Sequence, residues 1–191
     1  MKPVERSEVL DLGRYEEIRD HFRRRIIELK GLRRVGLGPN ITLLFENRDT
    51  VLYQIQEMLR TERITREDAV LHEIETYNEL IPKQDELSAT IFLEYPEPVQ
   101  RDRMLAALVG IERAFYLEVL GTRHAVRSEA RATLPGRTTA VQYATFPLTA
   151  AAVGGLRGPK PAATLGVDHP AYQARAELVP RTLEELAQDL A

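Results

Sequence analysis

The chain has 191 residues, 43% of them hydrophobic and 29% charged, with a formal net charge of −3. That is enough for a sizeable buried core, and it gives no global pull toward nucleic acid or an anionic membrane. Cysteine is absent, which excludes disulfides, a catalytic thiol and thiolate ligation of zinc or an iron–sulfur cluster by this chain.

The opening MKPVERSEVLDLG is charged and lacks the apolar core of a secretory signal. Apolar runs fall well short of the ~20 residues of a membrane span, so a cytoplasmic protein is expected. Ser7 to Leu12 reads as a single helical turn closed by Gly13. Tyr15, Ile18, Phe22, Ile26 and Leu29 then recur at helical spacing, with Gly31 as the expected stop. Val35 and Leu37 alternate with Arg34 and Gly36, Gly38-Pro39-Asn40 is turn chemistry, and Ile41–Phe45 is a short apolar run. Together they predict a hairpin over 34–46.

Asn47 is placed to cap a helix over 48–61, whose apolar face is Val51, Leu52, Ile55, Met58 and Leu59. A second helix is expected over 65–81, capped at Thr65 and ended by Pro82, and the two should pack as a helical hairpin. Leu87 to Tyr95 alternates as a strand, with Ser88, Thr90, Phe92 and Glu94 on its second face. Pro98 is suited to opening a helix over 98–109. Three strands, 114–120, 124–134 and 138–146, read as a meander. Residues 147–162 read as a loop or linker rich in small residues, glycine and proline. Ala163–Val167 is a last strand, Asp168-His169-Pro170 a turn, and Thr182 a capping-box residue opening a terminal helix. The expected architecture is α+β in one domain over 1–191: an antiparallel or mixed sheet (hairpin 34–46, strand 87–95, meander 114–146) with helices packed mainly on one side.

Dinucleotide, Walker, serine-elbow and HExxH patterns are all missing, so no motif identifies a reaction and a catalytic role is not expected. Candidate surfaces remain. Glu46, Asn47, Arg48, Gln54, Glu57 and Arg60 form a polar ligand or partner surface beside the hairpin, or a solvated helix side with salt links. Asp168 beside His169 would orient an imidazole for acid–base work, or cap its own turn. His72 and Glu75 lie one turn apart and are the metal candidates. No matching pair exists elsewhere, so neither a metal site nor a cofactor is expected. Arg23, Arg24, Arg25, Arg33 and Arg34 within the basic stretch 19–34 would suit RNA phosphates, or complement a helix C-terminus.

Three stretches carry a family resemblance: FENRDTVLYQIQEMLR at 45–60, YNELIP at 77–82 and DHPAY at 168–172. The chain resembles, over nearly its whole length, an uncharacterised bacterial family, domain of unknown function 3501. Members of that family are often encoded beside rubrerythrin-like di-iron proteins and iron–sulfur proteins. The resemblance implies a non-catalytic accessory or interaction protein working with redox metalloproteins in oxidative-stress defence. Its partner would be a rubrerythrin-like or iron–sulfur protein, or a second copy of the chain. The alternatives are a small-molecule-binding protein or enzyme with a polar pocket near Glu46–Glu57, and an RNA-contacting module through residues 19–34.

Overall fold

An N-terminal 3-10 turn at Arg6–Glu8 leads into a long helix, α1 (Leu12–Arg33), capped by Asp11, which accepts the Arg14 N–H at 3.0 Å. The computed structural model describes residues 1–128 and 136–190. Gly31 does not stop α1. The helix continues because the fully buried Arg33 guanidinium ties its last turn down, donating to the Phe45 and Glu46 carbonyls at 2.9 and 3.1 Å and pairing with Asp189.

The chain passes from α1 straight into β1 (Arg34–Gly36), which pairs antiparallel with β2 (Ile41–Glu46) in the register Arg34↔Leu44. This is the expected hairpin. Gly38 at its turn has φ +74, and a Cβ there would lie 2.6 Å from the Tyr172 hydroxyl oxygen. Backbone conformation and close approach both require glycine. Asn47 accepts the Thr50 N–H at 3.0 Å and opens α2 (Arg48–Thr61), which buries Val51, Ile55 and Leu59.

Helix α3 (Glu67–Asn78) starts later than expected. Its N-cap is Arg66, which supplies no side-chain cap bond and turns instead to Asp68, so Thr65 does not cap it. Leu80 and Ile81 follow in hydrogen-bonded turns before Pro82. Val51, Ile55 and Leu59 of α2 pack with Val70 and Ile74 of α3 and with Val4 and Val9 of the N-terminal segment.

Further along come β3 (Glu86–Leu93), α4 (Pro98–Ala107), β4 (Phe115–Val119), β5 (Thr122–Ala125) and β6 (Val141–Pro147). The chain closes with α5 (Ala150–Leu156), β7 (Ala163–His169), β8 (Tyr172–Glu177) and α6 (Pro180–Asp189). The architecture is α+β, with two antiparallel four-stranded sheets in the orders β1-β2-β3-β6 and β5-β4-β7-β8.

Two sheets replace the expected meander. β4 and β5 form a hairpin, but β6 crosses to the other sheet and pairs with β3, touching the β5 exit through the Arg127↔Thr145 bridge. Alternation marks which residues face a core, and it is blind to which neighbour a strand chooses. Residues 129–134 of the strand expected over 124–134, and Pro135, lie outside the described residues.

The segment read as a loop or linker contains α5, capped by Thr149 and burying Ala152, Val153 and Leu156. β8 has no counterpart in the sequence reading. It is an edge strand whose residues alternate only between exposed and half-buried, so its apolar signal is weak. Helix α6 opens at Val179, two residues after β8, and Thr182 lies inside it, donating to the Leu32 carbonyl at 2.7 Å rather than capping.

The helices are divided, not gathered on one side. One apolar cluster joins the inner faces of both sheets (Leu43, Phe45, Ile91, Phe146 with Phe115, Leu117, Leu165) and is closed by Leu105 of α4 and Leu108 after it, Leu156 of α5, and Leu183 and Leu186 of α6. Helices α1, α2 and α3 instead stand on the outer face of the first sheet. This division positions the site.

Candidate functional site

Directly opposed residues in an antiparallel ladder project to the same side. The registers of β2, β3 and β6 therefore lay out the outer face of the first sheet in three rows: Thr42–Phe92–Val141, Leu44–Thr90–Tyr143 and Glu46–Ser88–Thr145. A cavity of about 240 Å3 lies over these rows, completed by Val51 and Gln54 of α2, Tyr77 and Leu80 from α3 and its exit, and Lys30 of α1. A second cavity of about 300 Å3 shares Leu80 and Tyr143 with it and continues past Ser88 and Thr145 toward Lys83, Glu86 and Arg127. The two form one cleft, apolar and aromatic at one end and polar at the other.

Glu46 is the fixed acid of this cleft. It is only 8% exposed, and its two carboxylate oxygens accept from the Thr50 hydroxyl at 2.5 Å and the Thr90 hydroxyl at 2.6 Å. A carboxylate offers about four acceptor positions, so two remain for a further donor. Thr50 does double duty, because its hydroxyl also accepts the Asn47 N–H at 3.0 Å within the α2 capping box. Beside Glu46 in the same row, Ser88 is 5% exposed and its hydroxyl has no hydrogen-bond partner among the described residues.

At the polar end Arg127 pairs with Glu86 at 2.7 Å, whereas the cations at the Glu46 end have no carboxylate partner among the described residues. The Lys30 ammonium lies 5.2 Å from the centre of the Tyr53 ring and is within ion-pair distance of no carboxylate among the described residues. Burial pushes the Lys30 pKa down from its ordinary value, and the nearby Glu46 charge offsets this only in part. One turn further, the exposed Arg34 guanidinium stacks 5.7 Å from the centre of Phe92. Burial raises the Tyr77 hydroxyl above the usual phenol range, which keeps it a neutral hydrogen-bonding group.

Of the residues singled out in sequence, Glu46 and Gln54 enter this cleft, Glu75 lines its polar end and Asn47 supports it as the α2 cap. The others are elsewhere. Arg48 binds the N-terminal segment through Glu8 and the Lys2 carbonyl, the latter at 3.2 Å. Glu57 is held by the Tyr15 hydroxyl at 2.7 Å and by two Arg19 nitrogens at 2.8 Å each; the paired guanidinium holds its carboxyl below the usual range. Arg60 pairs with Glu16 at 2.6 Å. These residues tie α2 to α1 and to the N-terminal segment.

Asp168 and His169 have separate partners. Asp168 is exposed and pairs with Arg123 at 3.8 Å. The buried His169 accepts the Ala171 N–H on Nδ1 at 3.2 Å, which leaves Nε2 to donate to the Val109 carbonyl at 3.2 Å. Successive strand residues point to opposite faces, and that separates the two. His72 and Glu75 are both exposed on α3, and no group of three metal-ligating side chains occurs among the described residues.

The model of the family described as "Protein of unknown function (DUF3501)" matches residues 3–190. The chain belongs to that family. A crystal structure of a novel protein of unknown function from Burkholderia pseudomallei is 33% identical, with full coverage of both chains and a TM-score of 0.93. No curated protein matches the chain. No helix among the described residues is long and apolar enough to cross a membrane.

Lys30, Ser88, Thr90 and Tyr143 were not singled out in sequence. A signal was present for two of them. Ser88 and Thr90 alternate with Leu87, Ala89 and Ile91, and a polar face on a strand that is then covered by helices marks either a network or a site. Lys30 and Tyr143 carry no such mark, because they arrive from α1 and β6 by tertiary packing alone.

Proposed function

We propose that this chain binds a small molecule in the cleft between the outer face of β2-β3-β6 and helices α1–α3. The observation that carries this reading is the Glu46 carboxylate, buried and oriented by Thr50 and Thr90 at the wall of a cavity of about 240 Å3. Binding sites commonly combine an aromatic or apolar lining with a few placed polar groups. Here Phe92, Tyr143, Tyr77 and Leu80 supply the first, and Glu46, Gln54 and Lys30 the second. The orienting hydroxyls come from a helix and a strand, so the acceptor is set before any ligand arrives.

The accessory role beside rubrerythrin-like or iron–sulfur proteins in oxidative-stress defence rests on family resemblance alone, and no residue of the cleft argues for it. The RNA-contacting alternative loses two of its cations: Arg25 pairs with Asp49 at 2.7 Å, and Arg33 is wholly buried against Asp189.

Native mass spectrometry tests the reading. The protein is incubated with the low-molecular-weight fraction of its host's cell extract and desalted. A bound small mass is expected on the wild type and strongly reduced on Glu46→Gln. Equal retention by Glu46→Gln would remove the cleft from consideration.

A further inference from the structure

Small-molecule binding in the cleft leaves open the class of ligand, and the charges there narrow it. Lys30 and Glu46 line one cavity, yet they do not pair with each other. A half-buried ammonium and a buried carboxylate so close together would ordinarily neutralise one another by direct contact, because each pays a desolvation penalty. Glu46 is instead turned onto two threonine hydroxyls, and Lys30 onto the Tyr53 ring. Each keeps unused hydrogen-bonding capacity: two acceptor positions on the carboxylate and the N–H donors of the ammonium. The wall between them is apolar and aromatic, formed by Leu44, Val51, Tyr77, Phe92 and Tyr143.

We infer that the cleft takes an α-amino-acid-like zwitterion with an apolar or aromatic side chain, its ammonium on Glu46 and its carboxylate on Lys30. This inference rests on the ligand-binding reading of the same cleft. A purely cationic ligand would satisfy Glu46 and leave Lys30 repelled and partly desolvated. A purely anionic one would satisfy Lys30 and face the fixed Glu46 charge. Only a molecule carrying both charges on one small frame offsets both penalties. The apolar compartment beside Glu46 and Lys30, about 240 Å3, suits an amino-acid head and side chain of phenylalanine or leucine size. Arg34, stacked on Phe92 at the exposed end, adds positive potential where a carboxylate would enter.

The experiment is isothermal titration calorimetry with three probes: L-phenylalanine, L-phenylalanine amide and N-acetyl-L-phenylalanine. The amide keeps the ammonium and removes the carboxylate charge, and the acetyl compound does the reverse. L-phenylalanine is expected to bind, and each analogue to bind at least about tenfold more weakly, as for loss of a charge-assisted hydrogen bond. Lys30→Gln is expected to weaken L-phenylalanine about tenfold without weakening the amide, and Glu46→Gln to weaken L-phenylalanine without weakening the acetyl compound. Lys30 is only half-buried, so its variant keeps the test alive if Glu46→Gln folds poorly.

An amide that binds as tightly as L-phenylalanine would overturn the role of Lys30. Failure of all three probes, with a different small mass still captured from extract in a Glu46-dependent way, would overturn the zwitterion class and leave the cleft reading standing. Failure of the probes together with no Glu46-dependent capture would overturn both.

Discussion

Two buried charge clusters sit on opposite sides of the C-terminal end of β2, and they are built to different ends. At Arg33 every strong partner comes from the protein: the Phe45 and Glu46 carbonyls, Asp189 and, at 3.8 Å, Glu185. The cluster joins α1, β2 and α6, and a single Arg33 nitrogen is left without a hydrogen bond. At Glu46 the partners are two neutral hydroxyls, and the available cation, Lys30, is held apart. The first cluster closes its charges on itself to fix where the last helix docks. The second holds charges apart across a cavity. Burial of charge alone therefore does not mark a site; a buried charge at the wall of a cavity, with acceptor positions open to it, does.

The largest effect is expected at the closed cluster. Arg33→Met removes three hydrogen-bonding partners and leaves Asp189 buried and unpaired, so it should cost about 3–5 kcal/mol, measured by urea unfolding. Adding Asp189→Leu to that variant should recover part of the loss, because the uncompensated charge is gone. No recovery would mean that the two residues stabilise independently.

Glu46→Gln should cost less, about 1–2 kcal/mol by the same measurement, since one amide oxygen still accepts a hydroxyl and the other hydroxyl can turn to accept from the amide nitrogen. A loss as large as that at Arg33 would make Glu46 a structural residue and blunt the contrast between the clusters.

The acid side of stability separates Glu57 from Asp189. Pairing with Arg19 lowers the Glu57 pKa, so its stabilisation is fully present above the ordinary glutamate value and is lost as pH falls through the lowered folded value. Burial raises the Asp189 pKa despite Arg33, so its relative stabilisation is present at low pH and is lost as pH rises through the raised folded value. Glu57→Gln should accordingly flatten the fall in stability on acidification, and Asp189→Asn should steepen it, both followed by thermal unfolding across the acid range. The smallest effect is expected at the exposed pair Arg25–Asp49, where Arg25→Ala should change stability by less than about 0.5 kcal/mol.

How much of this was legible in the sequence follows the same division between local and long-range physics. The hairpin at Gly38, the Asn47 cap and the α2 face were readable because each is settled within a few residues. β6 changing sheets, β8 at an edge and α5 inside a glycine-rich stretch depend on partners far along the chain. In the site, Glu46 and Gln54 were found because they flank a readable turn and helix. Arg48, Glu57 and Arg60 belong to the same dense polar run but point toward α1 and the N-terminal segment. Composition cannot separate a helix face that is used for docking from one that lines a cavity.

The most direct test of the cleft is NMR of the protein labelled at its tyrosine rings, titrated with the low-molecular-weight fraction of host extract. Tyr77 and Tyr143 line the cleft, whereas Tyr95, Tyr116 and Tyr172 lie apart from it. Ligand binding there is expected to shift Tyr77 and Tyr143 and leave the other three in place. Shifts confined to Tyr95, Tyr116 or Tyr172, or no shift at any tyrosine at saturating extract, would contradict it.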